Sequence, residues 1–174
     1  MAFEIIGKKK SPVKKPPPKK PVYRHVQANN SEWGYIYFVK KSVCTLRKEL
    51  KLVPPKKNGG FMTGKQAENL VKREFEGVKG LRNKLHKYDL LQVLKNGKSV
   101  PIEVKLVELR RNEKGEAIFK FRGSRTQHED LARLPHGGYY ALCHQWLSKN
   151  KKELICNIYS CRIDEAEPFV VRVA

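Results

Sequence analysis

Acidic residues are scarce in this 174-residue chain: 17 Asp and Glu stand against 37 Lys and Arg, a formal net charge of +20. Such a field points to a polyanionic partner, either nucleic acid or an anionic membrane surface. No run of about 18 apolar residues is present, so nothing reads as a membrane-spanning helix. Ala2-Phe3-Glu4-Ile5-Ile6 is too short for the apolar region of a signal peptide. Membrane-surface binding calls for a basic amphipathic helix, and the basic segment that follows is rich in proline instead. The expectation is an intracellular protein, cytoplasmic or nucleoid-associated, with no membrane partner. The four cysteines, Cys44, Cys143, Cys156 and Cys161, match no common zinc spacing. They read as reduced, partly buried thiols, with a Cys156–Cys161 disulfide as the alternative in a hyperthermophile. A Gly-rich phosphate loop and a nucleophilic triad are also missing.

The charge is uneven. Residues 1–60 carry 15 Lys and Arg against 3 Asp and Glu, a net of +12; residues 61–174 carry 22 against 14, a net of +8. Lys8 to Pro21 reads KKKSPVKKPPPKKP. Mutual repulsion and missing backbone donors predict an extended, disordered tail over 1–21. It reads first as a non-specific phosphate-binding arm, with a solvated tail or a nuclear-targeting segment as alternatives. Residues 22–60 read as an N-terminal extension or small lobe. In it, Trp33 to Val39 suggests a strand, while Leu46, Leu50 and Val53 have helical spacing up to Pro54-Pro55. Residues 61–174 form the expected core domain.

That core begins with a helix. Thr63 and Gln66 make a T-x-x-Q capping box, an apolar stripe runs through Ala67, Leu70, Val71 and Phe75, and Gly77 and Gly80 stop it. Strands follow from about Tyr88, through the Asn96-Gly97 turn to Val107. A polar turn is expected over Arg110 to Glu116 and a third strand over Ala117 to Phe121. A short helix over Ser124 to Leu134, strands at Tyr139–Cys143 and Leu154–Tyr159, and an edge strand near Phe169 to Val173 complete the order. Helix, three strands, helix, strand, strand predicts an α/β fold with a mixed central sheet flanked by helices.

Charges inside the two strands after the first helix carry the chemistry. Buried strands seldom hold unpaired charges, yet Asp89 opens one strand and Glu103-Val104-Lys105 lies on the next. Two neighbouring carboxylates repel unless a cation sits between them. Glu103 and Lys105, two apart, share one strand face. Metal held by acids, with a lysine beside it, suits phosphodiester hydrolysis. Mg²⁺ needs few carboxylates, relieves charge on the phosphate and acidifies water, and a lysine stabilises negative charge. The site has a geometric condition. A two-residue Asn96-Gly97 turn sets Asp89 opposite Val104 and splits the acids between faces. A three-residue Lys95-Asn96-Gly97 loop with left-handed Gly97 pairs Leu94 with Lys98 and Asp89 with Glu103. The second, or a bulge of equal effect, is expected.

Asp89, thirteen residues, then Glu103-x-Lys105 resembles the PD-(D/E)xK nuclease superfamily, with Tyr88 where that family often has proline. The resemblance covers about residues 64–146. It implies a restriction-endonuclease-like core and a helix glutamate joining the site, here Glu68. It implies Mg²⁺, with Mn²⁺ substituting, held by Glu68, Asp89, Glu103 and the Val104 carbonyl. Lys105 would assist the water or the phosphate, and Gln127 matches a glutamine some members place near the metal waters. Archaeal Holliday-junction resolvases are most similar, which implies branched DNA as substrate, a role in recombination and a homodimer. Lys65, Lys72, Arg73, Arg122 and Arg125 are candidates for the phosphate path, and His128 reads as a surface group. The rival readings are a non-catalytic basic nucleic-acid-binding protein and an RNA-cleaving nuclease with the same site.

Overall fold

The computed structural model describes residues 23–27, 34–80, 88–134 and 137–172; the basic segment 1–21 and Trp33 lie outside them. The elements are β1 (Tyr23–His25), β2 (Tyr35–Lys40), β3 (Thr45–Leu52), α1 (Gly64–Glu74), β4 (Val78–Gly80), β5 (Leu90–Val93), β6 (Ser99–Leu106), β7 (Glu108–Arg111), β8 (Ala117–Gly123), α2 (Arg125–Ala132), β9 (Tyr139–Leu147), β10 (Leu154–Arg162), β11 (Glu167–Pro168) and β12 (Val170–Arg172). The larger sheet has six strands in the order β3-β10-β9-β6-β5-β4. It is mixed, because β6 and β9 run parallel while its other neighbours are antiparallel. A four-stranded sheet runs β11-β2-β8-β7, and β1 pairs with β12.

The two faces of the large sheet are covered differently. On one, the α1 stripe Ala67, Leu70 and Val71 packs against Leu90, Val100, Ile102 and Val104. The expected capping box is present: the Thr63 side chain accepts from the Gln66 N–H, and Gln66 accepts from the Thr63 N–H. On the other face, Tyr140, Leu142, Tyr159 and Cys161 meet Tyr37, Val39, Phe119 and Phe121 of the smaller sheet and Leu131 of α2. The fold is thus α/β with a mixed sheet flanked by helices, as expected, but a second sheet shares the α2 side.

Three local expectations change. Thr45–Leu52 is a strand, not a helix. Leu46 and Leu50 are four apart, which fits either period; pairing with β10 and the inward turn of Leu50 and Leu52 decide for the strand. The polar turn is shorter than expected, because Glu108–Arg111 leaves the large sheet to pair with β8. The described residues of the 22–60 segment are built into the sandwich, with β2 between β11 and β8 and β3 at the edge of the large sheet. A Cys156–Cys161 bridge is excluded by strand alternation: both lie on β10 but face opposite cores, and all four thiols are free. Gly77 is required where it stands. Its φ is +75° and an added Cβ would lie 2.6 Å from the Val93 carbonyl oxygen.

Candidate functional site

The β5–β6 hairpin closes through the three-residue loop. Leu94 N–H donates to the Lys98 carbonyl at 2.8 Å, Gly97 N–H donates to the Leu94 carbonyl at 2.9 Å, and Gly97 has φ +82°. The ladder then pairs Leu90 with Ile102, and one step further Asp89 comes level with Glu103. The expected register is therefore the one adopted.

The sheet parts at this point. Among the described residues β5 begins at Leu90, while β6 continues to Leu106 alongside β9. Among the described residues no strand pairs with the β5-facing edge of β6 beyond Ile102, and a side chain takes that place: Asp89 Oδ2 accepts from the Val104 N–H at 3.1 Å. The opening lets groups from both faces meet. Glu68 reaches Asp89 from α1, and Asp89 in turn touches Glu103. Glu103 is 3% exposed. Its Oε2 accepts from Gln127 Nε2 of α2 at 3.0 Å, and its Oε1 lies 3.6 Å from Lys105 Nζ. Lys65 Nζ lies 3.6 Å from Glu68 Oε2.

Burial dominates the electrostatics. It raises the Glu68 and Asp89 carboxyls to about 7, with the neighbouring Asp89 adding to the rise of Glu68 and Glu103 to that of Asp89. Glu103 is also raised by burial, while hydrogen bonding to Asp89 and the Lys105 charge pull it down. A proton shared by Asp89 and Glu103 therefore rests on Asp89, since Glu103 has Gln127 and Lys105 to stabilise its anion.

A cleft of about 500 Å³ lies beside this cluster, walled by Gly64 at the start of α1, Val104 to Leu106, and Lys120 to Arg122. Lys105, Lys120 and Arg122 bring positive charge to it, with Glu108 as its acidic residue. Val104 and Lys105 line the cleft, whereas Glu68, Asp89 and Glu103 do not.

Other candidates lie elsewhere. Lys72 packs against Gly80, Arg73 lines a separate groove with Leu52 and Pro55, and Arg125 pairs with Glu129 at 3.1 Å. His128 is not a surface group. It is buried, its Nδ1 is 2.7 Å from the Tyr140 hydroxyl, its ring lies against Tyr37 at 4.3 Å, and burial lowers its pKa to about 4. Its spacing next to Gln127 gave no signal of this, because a short polar helix hides its inward face. Lys120 also joins the cleft, since β8 alternates it with Phe119 and Phe121.

Among the described residues no three His, Cys, Asp or Glu side chains are set out as a ready-made metal cage. The donor set still fits Mg²⁺, which takes one or two carboxylates and keeps its waters. Three carboxyls have two lysines beside them, Lys65 at Glu68 and Lys105 at Glu103, so their full ionisation leaves excess negative charge that a divalent cation would offset. No family model, curated protein or solved structure matches the chain.

Proposed function

We propose that the protein is a divalent-metal-dependent nuclease of the PD-(D/E)xK type that hydrolyses DNA phosphodiester bonds. The observation that carries this reading is the meeting of Glu68, Asp89 and Glu103 where β5 and β6 part, with Lys105 and Gln127 against Glu103. Asp89, Glu103 and Glu68 would hold Mg²⁺ or Mn²⁺, with the Val104 carbonyl as a further oxygen donor. When bound, the ion would supply Lewis-acid relief of charge on the phosphate and an acidified water. Lys105 lies between the carboxylates and the cleft, placed to stabilise the negative charge that develops on a phosphate there. Gln127 holds Glu103 in one rotamer, and Lys120 and Arg122 receive the backbone phosphates. Branched DNA as the preferred substrate, and a homodimer cutting two strands, follow from the motif's likeness to resolvases.

A second reading has one observation in its favour. Both Glu103 oxygens already have protein partners, which suits a non-catalytic nucleic-acid-binding protein. An assay separates the two: wild type and Asp89→Asn are incubated with labelled linear duplex, single strand, four-way junction and RNA, in Mg²⁺ or EDTA. Mg²⁺-dependent cleavage by wild type alone is expected. No cleavage of any substrate by wild type removes the nuclease reading, and cleavage of RNA alone assigns the site to RNA.

A further inference from the structure

The large sheet extends past the smaller one at the β3–β10–β9 end, and its uncovered surface is aromatic and basic. Strand pairing sets Lys51, Ile155 and Trp146 side by side, and in the next row Glu49, Asn157 and His144. These share the face of Tyr159. Trp146 is 39% exposed, an unusual position for so large an apolar ring. Its ring lies 5.0 Å from that of His144, which in turn lies 5.8 Å from Phe119 of the core. Burial and the nearby Lys41 charge lower the His144 pKa, so its ring is neutral. Lys41 Nζ sits 5.8 Å over the Tyr159 ring. The aromatic row thus leads from the core to solvent with a cation at its inner end.

Its outer end meets the β9–β10 turn, which carries Lys149, Lys151 and Lys152, all exposed. The turn is tightly made: Lys151 N–H donates to the Ser148 carbonyl at 2.8 Å, and Asn150 Oδ1 accepts from the Lys152 N–H at 3.0 Å. Lys151 has φ +58°, a left-handed conformation that glycine or asparagine adopts more easily. A lysine held there is a local cost with no return in packing, which points to a use for its charge. Around these rings the lysines outnumber Glu49 and Glu153.

Flat rings on a rigid sheet, bordered by lysines at both ends, match unpaired nucleotides, whose bases stack and whose phosphates seek cations. We propose that the β3–β10–β9 end of the sheet binds single-stranded nucleic acid, with bases stacking on Trp146 and His144 and phosphates meeting Lys51 and Lys151. Charge complementarity selects this occupant over an apolar protein segment. The site is separate from the cleft at Lys105 and does not depend on the nuclease reading.

The test is fluorescence anisotropy of labelled dT15 and rU15 with the full chain in EDTA, which keeps cleavage out of the readout. Trp146→Ala is expected to weaken binding about tenfold and Trp146→Phe far less, because stacking tolerates either ring. Lys151→Gly relieves the backbone while removing the charge, so it should leave the melting temperature unchanged or higher and still weaken binding about threefold. Lys79→Gln, exposed on β4 at the opposite edge of the large sheet, should leave this affinity as it is. Weakening in one arm alone assigns the strand to that sugar. Unchanged affinity of Trp146→Ala and Lys151→Gly in both arms overturns the proposal.

Discussion

The Asp89 carboxylate caps the Val104 backbone N–H at 3.1 Å, where β6 loses its neighbour β5. One side chain thus does two things: it completes the sheet edge and brings an acid to the buried Glu103. Substitutions at Asp89 have to separate these roles. Asn keeps an oxygen for the Val104 N–H but removes the negative charge, whereas Ala removes both.

Asp89→Asn is therefore expected to fold as wild type by circular dichroism and to lose about a thousandfold in Mg²⁺-dependent cleavage rate, since a lost metal ligand removes several kcal/mol of charge stabilisation. Asp89→Ala should lose activity equally and melt at lower temperature, because the Val104 N–H is left without its acceptor. Retained cleavage by Asp89→Asn in a quench-flow assay would discard the site.

Acid groups with raised pKa values bind protons more tightly in the folded state than in the unfolded one. Asp89 and Glu68 rise to about 7, so in the absence of metal stability is full below pH 4 for this contribution and falls as pH climbs through 7. The melting temperature in EDTA is expected to be lower at pH 8 than at pH 6. Mg²⁺ or Mn²⁺ should recover more at pH 8, because binding displaces protons at lower pH. A thermal-shift series at both pH values, with and without metal, reads this directly.

Gln127 Nε2 stabilises the ionised form of Glu103. Replacing it with leucine leaves a buried carboxylate short of a donor, so the Glu103 pKa rises further. The acid limb of the cleavage pH profile should move upward by about one pH unit, the size of a hydrogen bond to a charged group. A profile that keeps its limb while the rate falls would show that Gln127 acts only on the fold.

Arg122→Gln and Lys120→Gln, both on the cleft wall, should each reduce the slope of log affinity for duplex DNA against log salt by about one. Lys72→Gln and Arg73→Gln, which point elsewhere, should not change it. Binding titrations at several salt concentrations make the comparison.

Gly77→Ala should destabilise the protein by about 1–3 kcal/mol, from the left-handed backbone and from contact with the Val93 carbonyl. Urea unfolding measures it, and a neutral result would mean that the α1–β4 turn relaxes freely.

Much of this protein was legible before its structure. The capping box at Thr63 and Gln66, the hairpin loop at Lys95-Asn96-Gly97 and the resulting level of Asp89 with Glu103 follow from local chemistry, because caps, turns and strand period act over a few residues. Charge imbalance likewise sets the expectation of a polyanionic partner. The helical reading of Leu46 and Leu50 failed because a spacing of four satisfies both periods, and only pairing with β10 selects one.

The sequence by itself determined the element types around the acids, the face shared by Glu103 and Lys105, and the order Glu68, Asp89, Glu103. Tertiary structure alone decided that β5 stops at Leu90 so that the acids can meet, that His128 is buried against Tyr37 and Tyr140, and that Lys120 and Arg122 share a cleft while Lys72 and Arg73 do not. The physical reason is range. Local patterns set which face a side chain takes, but which faces come together depends on contacts between segments far apart in the chain, here the closing of a second sheet and α2 over the first.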